Sequence, residues 1–188
     1  MNTYLSIDLD FWEEDRDYKH LRRFLKKVKE TCTDIKIVDS HESMTRHINR
    51  AGKLYGCCRV INVDYHADIG DAADGAADGF NCGSWAHFIN FRKEGEFIWL
   101  RPQADESEGC CWHGSRNPFN VIGVSGWKSC KRFVTKTPKR RIDWSSVKAV
   151  GIAFSYYWLG LHEDDQIAIE AGKVLGVSPK VNASAKIA

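Results

Sequence analysis

Three short apolar runs in the first third of the chain, spaced by amphipathic segments, limit the possible folds more than any other feature. Residues 4 to 9 read as a buried strand, Ile35 to Val38 as a second and Val60 to Val63 as a third. Between them, residues 17 to 30 place Tyr18, Leu21, Leu25 and Val28 on one helical face, with Lys and Arg opposite. Residues 42 to 55 repeat that spacing through Met44, Ile48, Ala51 and Tyr55. Strand, helix, strand, helix, strand needs crossover connections, so the pattern predicts an α/β fold with a mainly parallel sheet and helices on both faces. A run such as Val60-Ile61-Asn62-Val63 suits a strand buried on both sides.

Further on, residues 84 to 91 look helical and Phe97 to Leu100 strand-like. Residues 119 to 135 look like β-structure with a turn near Ser125-Gly126, and Asp105 to Asn117 reads as a loop. Val147 to Phe154 is a late strand and 163 to 175 a late helix. The 188 residues fit one domain over 1–176, with a small, polar tail at 177–188 expected to fray. The Gly70 to Gly79 stretch, rich in Asp, Gly and Ala, reads as a flexible loop beside the presumed site.

The strands end in unusual chemistry. Ser6-Ile7-Asp8-Leu9-Asp10 sets two carboxylates at i and i+2, on one face of a strand. Val63-Asp64-Tyr65-His66-Ala67-Asp68 sets three potential ligands at alternate positions after another strand. His41 follows the strand that ends at Val38. In parallel sheets, ligands bind beyond the carboxyl ends of the strands. So many carboxylates gathered there would repel one another strongly without a cation. Asp8 and Asp10 alone would serve equally as helix caps, and His41 as a helix N-terminal residue; together with Asp64, His66 and Asp68 they point to a metal centre. Four carboxylates and two imidazoles suit Mn²⁺, whereas a structural zinc site prefers thiolates.

This ligand set resembles that of the arginase/ureohydrolase and deacetylase superfamily, in which Asp-x-His-x-Asp, Ser-x-Asp-x-Asp and an upstream His hold two Mn²⁺ ions. The Ser-x-Asp-x-Asp strand comes first here instead of late, and the chain is short. It therefore looks circularly permuted, like the small family that includes peptide arginases, which turn peptide arginines into ornithines. Asn81-Cys82-Gly83-Ser84-Trp85-Ala86-His87 and Ser155-Tyr156-Tyr157-Trp158 also resemble that family. The resemblance implies a compact permuted arginase-like fold with two Mn²⁺ per chain. Asp8 and Asp64 would bridge the ions, His41 and Asp68 would complete one, and His66 and Asp10 the other. It also implies a binuclear manganese hydrolase that releases urea from an arginine-containing precursor peptide, with Asp64 catalytic.

Other roles rest on residue chemistry. His87 is a candidate proton donor to the leaving amine, or packs beside Trp85 and Phe88 on a helix face. Glu163 is the candidate carboxylate for the guanidinium, with Asp164 and Asp165 beside it and Glu42 and Asp71 in reserve; all three of the late acids serve as well at a helix N-terminus. Asn81, Trp85 and Tyr157 are candidate substrate contacts, since rings stack on guanidinium or peptide. The alternatives are a ureohydrolase or amidohydrolase on a small free substrate, a haloacid-dehalogenase-like phosphatase built on Asp8-x-Asp10, and a non-catalytic metal-binding partner protein.

Composition excludes some classes. A net charge of +2, with basic stretches at Arg22-Arg23, Lys26-Lys27 and Lys139-Arg140-Arg141, gives no nucleic-acid groove. No apolar run approaches the roughly 20 residues of a membrane helix, and the N-terminus lacks signal-peptide features. Seven Cys without a C-x-x-C pair suggest reduced thiols in the cytoplasm.

Overall fold

A computed structural model describes residues 1–12, 18–64, 68, 85–90, 95–100, 130–136, 141–155 and 166–178. The first apolar run forms β1 (Thr3–Asp8), buried along its whole length. Burial on both faces is what a central parallel strand requires. Helix α1 (Lys19–Thr31) leads to β2 (Ile35–Val38), and α2 (Thr45–Tyr55) to β3 (Arg59–Val63). Then come β4 (Gly95–Leu100), β5 (Cys130–Lys136), β6 (Val147–Ala153) and α3 (Gln166–Leu175). The six described strands form one sheet in the order β2-β6-β1-β3-β4-β5, and every neighbouring pair is parallel.

Side-chain alternation builds two cores. Leu5 and Ile7 of β1, Ile61 and Val63 of β3, Ile98 and Leu100 of β4, and Val150 and Ile152 of β6 face one way. There they meet Leu21, Leu25 and Val28 of α1 and Ile167, Ala168 and Ala171 of α3. Arg22 and Glu170 join those two helices at 3.0 Å. The opposite face carries Tyr4, Val60, Phe97, Trp99, Ala149 and Ala153 against Ile48 and Ala51 of α2, with Met44 and Trp85. Helices thus cover both faces, as the crossover pattern predicts.

Gly151 of β6 shows how tightly the second face is packed. A Cβ there would overlap Tyr4 Oη and Met44 Sδ and come within 2.9 Å of Met44 Cγ. Helix α2 stops at Gly56, whose φ of 64° is a left-handed conformation that glycine adopts without a Cβ clash. Residues 85 to 90, the described part of the helix expected over 84 to 91, differ from it. A single 3-10 turn, Trp85–Phe88, buries Trp85 and Ala86, and Ile89 is buried after it. Apolar side chains at i, i+1 and i+4 fit that turn as well as an α-helix. No described helix is long and apolar enough to cross a membrane.

From β1 the chain moves through α1 to β2, on one side of it; from β3 it moves on to β4, on the other. The gap beyond the carboxyl ends of β1 and β3 is therefore a topological switch point, where open parallel sheets hold ligands.

Candidate metal centre

Asp8 ends β1 and Asp64 directly follows β3, so the switch point receives one carboxylate from each strand. His41 enters from the side on a 3-10 turn, His41–Met44, between β2 and α2. One donor atom from each of Asp8, His41 and Asp64 lies within 4.8 Å of the others, and all three residues are buried. This group can hold a metal ion. Asp68 adds a fourth donor: its Oδ2 lies 2.9 Å from His41 Nδ1, as does Asp64 Oδ2, with Asp8 Oδ2 at 3.2 Å.

Three carboxylate oxygens around one ring nitrogen are more than a single N–H can serve. None of them meets hydrogen-bond geometry, and Nδ1 is left as a buried atom without an aligned partner. The other ring nitrogen explains why. The Ser6 hydroxyl donates to Met44 Sδ at 3.2 Å, and a thioether can only accept. Ser6 Oγ must then accept from His41 Nε2, 2.7 Å away. With Nε2 carrying a proton, Nδ1 is the nitrogen free to bind a cation. The carboxylate oxygens at 2.9 to 3.2 Å from Nδ1 are close enough to share one cation with it.

The electrostatics agree. Burial pushes the Asp64 carboxyl up to about 8, and the Asp68 carboxylate adds to the rise. Burial opposes charge on His41, but the Asp64, Asp68 and Asp8 carboxylates overcome it and hold the imidazole well above its ordinary value. A cation at this point relieves both strains.

A second layer of donors fixes the ligands. The Ser155 hydroxyl donates to Asp8 Oδ2, and the Trp85 indole N–H to Asp68 Oδ2. Asn62 Nδ2 donates to Asp64 Oδ2 at 3.0 Å, and Trp99 Nε1 to the Asp64 carbonyl at 2.9 Å. The Trp85 ring lies 4.5 Å from the His41 ring. Asp68 and Ser155 both have positive φ, 54° and 48°. Such backbone is uncommon outside glycine and concentrates where geometry is enforced for function.

Of the residues the sequence singles out, the structure brings together Asp8, His41, Asp64 and Asp68, the four that the resemblance assigns to one ion. Asp10 is buried two residues on, its amide donating to Asp8 Oδ1 at 3.2 Å, but it is not one of the close group of three. Trp85 sits against the candidate ligands His41 and Asp68, its ring beside the imidazole and its N–H on the Asp68 carboxylate. Glu42 is half-buried and accepts from the Ser40 hydroxyl. His66, Asn81, Tyr157, Glu163, Asp71, Asp164, Asp165 and the loop at 70–79 lie outside the described residues, as does the side chain of His87. The supporting roles of Met44, Asn62 and Ser155 are new with the structure; only the small-residue run Ala149, Gly151, Ala153 hinted at large side chains crowding this face. No family model, curated protein or solved structure matches the chain.

Proposed function

We propose that this chain is a binuclear manganese hydrolase that converts arginine side chains in a peptide to ornithine and urea. The observation that carries the metal-dependent part is His41 Nδ1, turned by the Ser6–Met44 relay toward three buried carboxylate oxygens. The choice of guanidinium as the group attacked rests on the resemblance of the full ligand pattern, Asp8, Asp10, His41, Asp64, His66 and Asp68, to arginase-type centres.

Divalent cations held by such a set make hydroxide available from water near neutral pH. The chain's own residues do the rest. Asp8 and Asp64 come from adjacent strands and bring the two halves of the ligand set together; Ser155 and Asn62 hold their carboxylates in place. In the reaction the water oxygen bonds to the guanidinium carbon and the bond from that carbon to the side-chain nitrogen breaks. Both water protons end on the leaving amine, which departs as an ammonium. His87 delivers the proton; its neighbour Ala86 is tied to the ligand segment through an amide donating to the Asp68 carbonyl at 3.3 Å. Glu163 pairs with the guanidinium, and Asn81 and Tyr157 contact the peptide.

The test is urea release by the manganese-reconstituted protein from a peptide with an internal arginine, beside free arginine. Mass spectrometry should show a loss of about 42 Da per converted residue, as guanidine becomes amine. Equal or faster turnover of free arginine rejects the peptide substrate. No urea from either, with two Mn²⁺ bound, rejects the arginase reaction, and a single tightly held Zn²⁺ rejects the binuclear centre.

A further inference from the structure

Beside the metal centre runs a second feature that the ligand set does not use. A cleft of about 720 Å³ lies along β2 and α2. Among the described residues its lining carries three cations, Lys36, Arg46 and Arg50, and one carboxylate, Asp39. Arg46 and Arg50 stand one turn apart on the same face of α2. His47 lies between them but is already committed: Nε2 is 3.1 Å from Asp34 Oδ1, and Nδ1 is 2.8 Å from Tyr4 Oη. It forms wall rather than a free cation.

The rim of the cleft is an open strand. Among the described residues β2 ends the sheet and pairs only with β6. Val150 N–H donates to the Asp34 carbonyl and Phe154 N–H to that of Val38. Backbone groups alternate in direction along a strand, so those of Ile35 and Ile37 point away from β6. An unpaired row of N–H and C=O groups is a template for a further strand. The cleft also leads to the centre. Ser40 and Phe154 line it, and the next residues, His41 and Ser155, are respectively a ligand and the donor to Asp8.

We propose that this cleft docks an extended acidic peptide segment, which pairs with the outward edge of β2 while its carboxylates meet Lys36, Arg46 and Arg50. The occupant is a peptide because an open strand edge recognises main chain, and acidic because the cations outnumber Asp39. The chain's own last ten residues do not suit it: 179–188 contain two Lys and no acid. This deepens the peptide-hydrolase reading and rests on it only for the docked segment's purpose, which is to hold a flanking arginine near the centre.

The experiment uses the full-length, manganese-loaded protein and two fluorescein-labelled synthetic peptides, alternating Glu-Val and alternating Lys-Val, read by fluorescence anisotropy. The acidic peptide should bind about ten-fold tighter than the basic one, and more weakly as salt rises. Arg46→Glu with Arg50→Glu should weaken it about ten-fold or more. Ile37→Pro removes an N–H that β6 does not use, and edge strands tolerate proline at such positions. It should weaken binding several-fold with metal content unchanged. Equal affinity for the two peptides, or binding that survives the double reversal, overturns the proposal. So does displacement by a few millimolar inorganic phosphate, which marks a small-anion site. Stronger binding of phosphatidylserine vesicles or an oligonucleotide, lost on the same reversal, assigns the cleft to a different partner. The two readings fail separately. Urea release that gains nothing from an acidic flank defeats this proposal alone, whereas Arg-dependent docking without urea release defeats only the arginase reaction.

Discussion

Replacing Gly151 by alanine should damage both the fold and the metal centre, through one contact. The new methyl group would overlap Tyr4 Oη and Met44 Sδ. Tyr4 is fully buried and its hydroxyl is 2.8 Å from His47, itself bound to Asp34, so the ring cannot slide without breaking that chain. Overpacking a tight core costs roughly 1–3 kcal/mol. A buried hydroxyl stripped of its partner costs about 1–3 kcal/mol more. The reduced freedom of the unfolded chain offsets about 0.4–1 kcal/mol. The net loss spans about 1–5 kcal/mol, and its middle value of about 3 kcal/mol lowers the melting temperature of a domain this size by roughly 6–12 °C. Met44 is the softer neighbour and will move first. Its sulfur then no longer receives the Ser6 hydroxyl, the relay to His41 Nε2 loosens, and manganese affinity should fall about ten-fold. Thermal melting in chelator and calorimetric metal titration read the two effects. Gly52→Ala is the control, because its methyl group would sit at an ordinary 3.4 Å from the Cys57 carbonyl inside α2. A Gly151→Ala protein that melts within about 2 °C of wild type and binds metal equally well would refute both the packing argument and the relay.

Ser6→Ala leaves His41 Nε2–H without its acceptor, so metal affinity should drop about 10–100-fold with the fold retained; unchanged affinity in a titration would show that Ser6 does not set the ring. Asp64→Asn should act with opposite signs, weakening metal binding yet stabilising the chelated protein at pH 8, because one of the crowded carboxylates is gone; a destabilised chelated variant would count against crowding. The metal-free protein should also be more stable at pH 5 than at pH 8. The Asp64 carboxyl, at about 8 against an ordinary 3.8, keeps a proton the unfolded chain has shed, and His41, raised above 6.5, does the same. Stability therefore falls as pH rises through that window, and metal loading should flatten the fall in urea melts.

The strands were legible because their apolar runs are short, β-rich and interrupted by strongly amphipathic segments. β1, β2, β3, β4 and β6 lie where Tyr4 to Leu9, Ile35 to Val38, Val60 to Val63, Phe97 to Leu100 and Val147 to Phe154 place them. The β-structure expected over 119 to 135 overlaps β5, which runs parallel to β4; the turn expected near Ser125-Gly126 lies outside the described residues. Strand order was not legible, since which strand fits between two others depends on side-chain volume across the sheet and leaves no local pattern. At the site, Asp8, Asp64 and His41 announced themselves as polar groups ending apolar runs. Met44 did not, because it reads as an apolar residue on a helical face. Trp85 reads as a substrate contact, and only three-dimensional placement turns a thioether into an acceptor or an indole N–H into a support for Asp68.

β6 has a further consequence, for the order in which the molecule can assemble. It is the last of the described strands, yet it lies between β1 and β2, near the first residues. Until Val147–Ala153 has left the ribosome, those two early strands have no common neighbour, and the Ser155 hydroxyl that steadies Asp8 from 147 positions away does not yet exist. Pairing so distant in sequence makes folding slow. The sheet around the acidic strand ends is therefore complete only after residue 153 has been made. On the proposed function metal capture should then be late, and a ribosome stalled before residue 147 should carry a chain that binds manganese poorly.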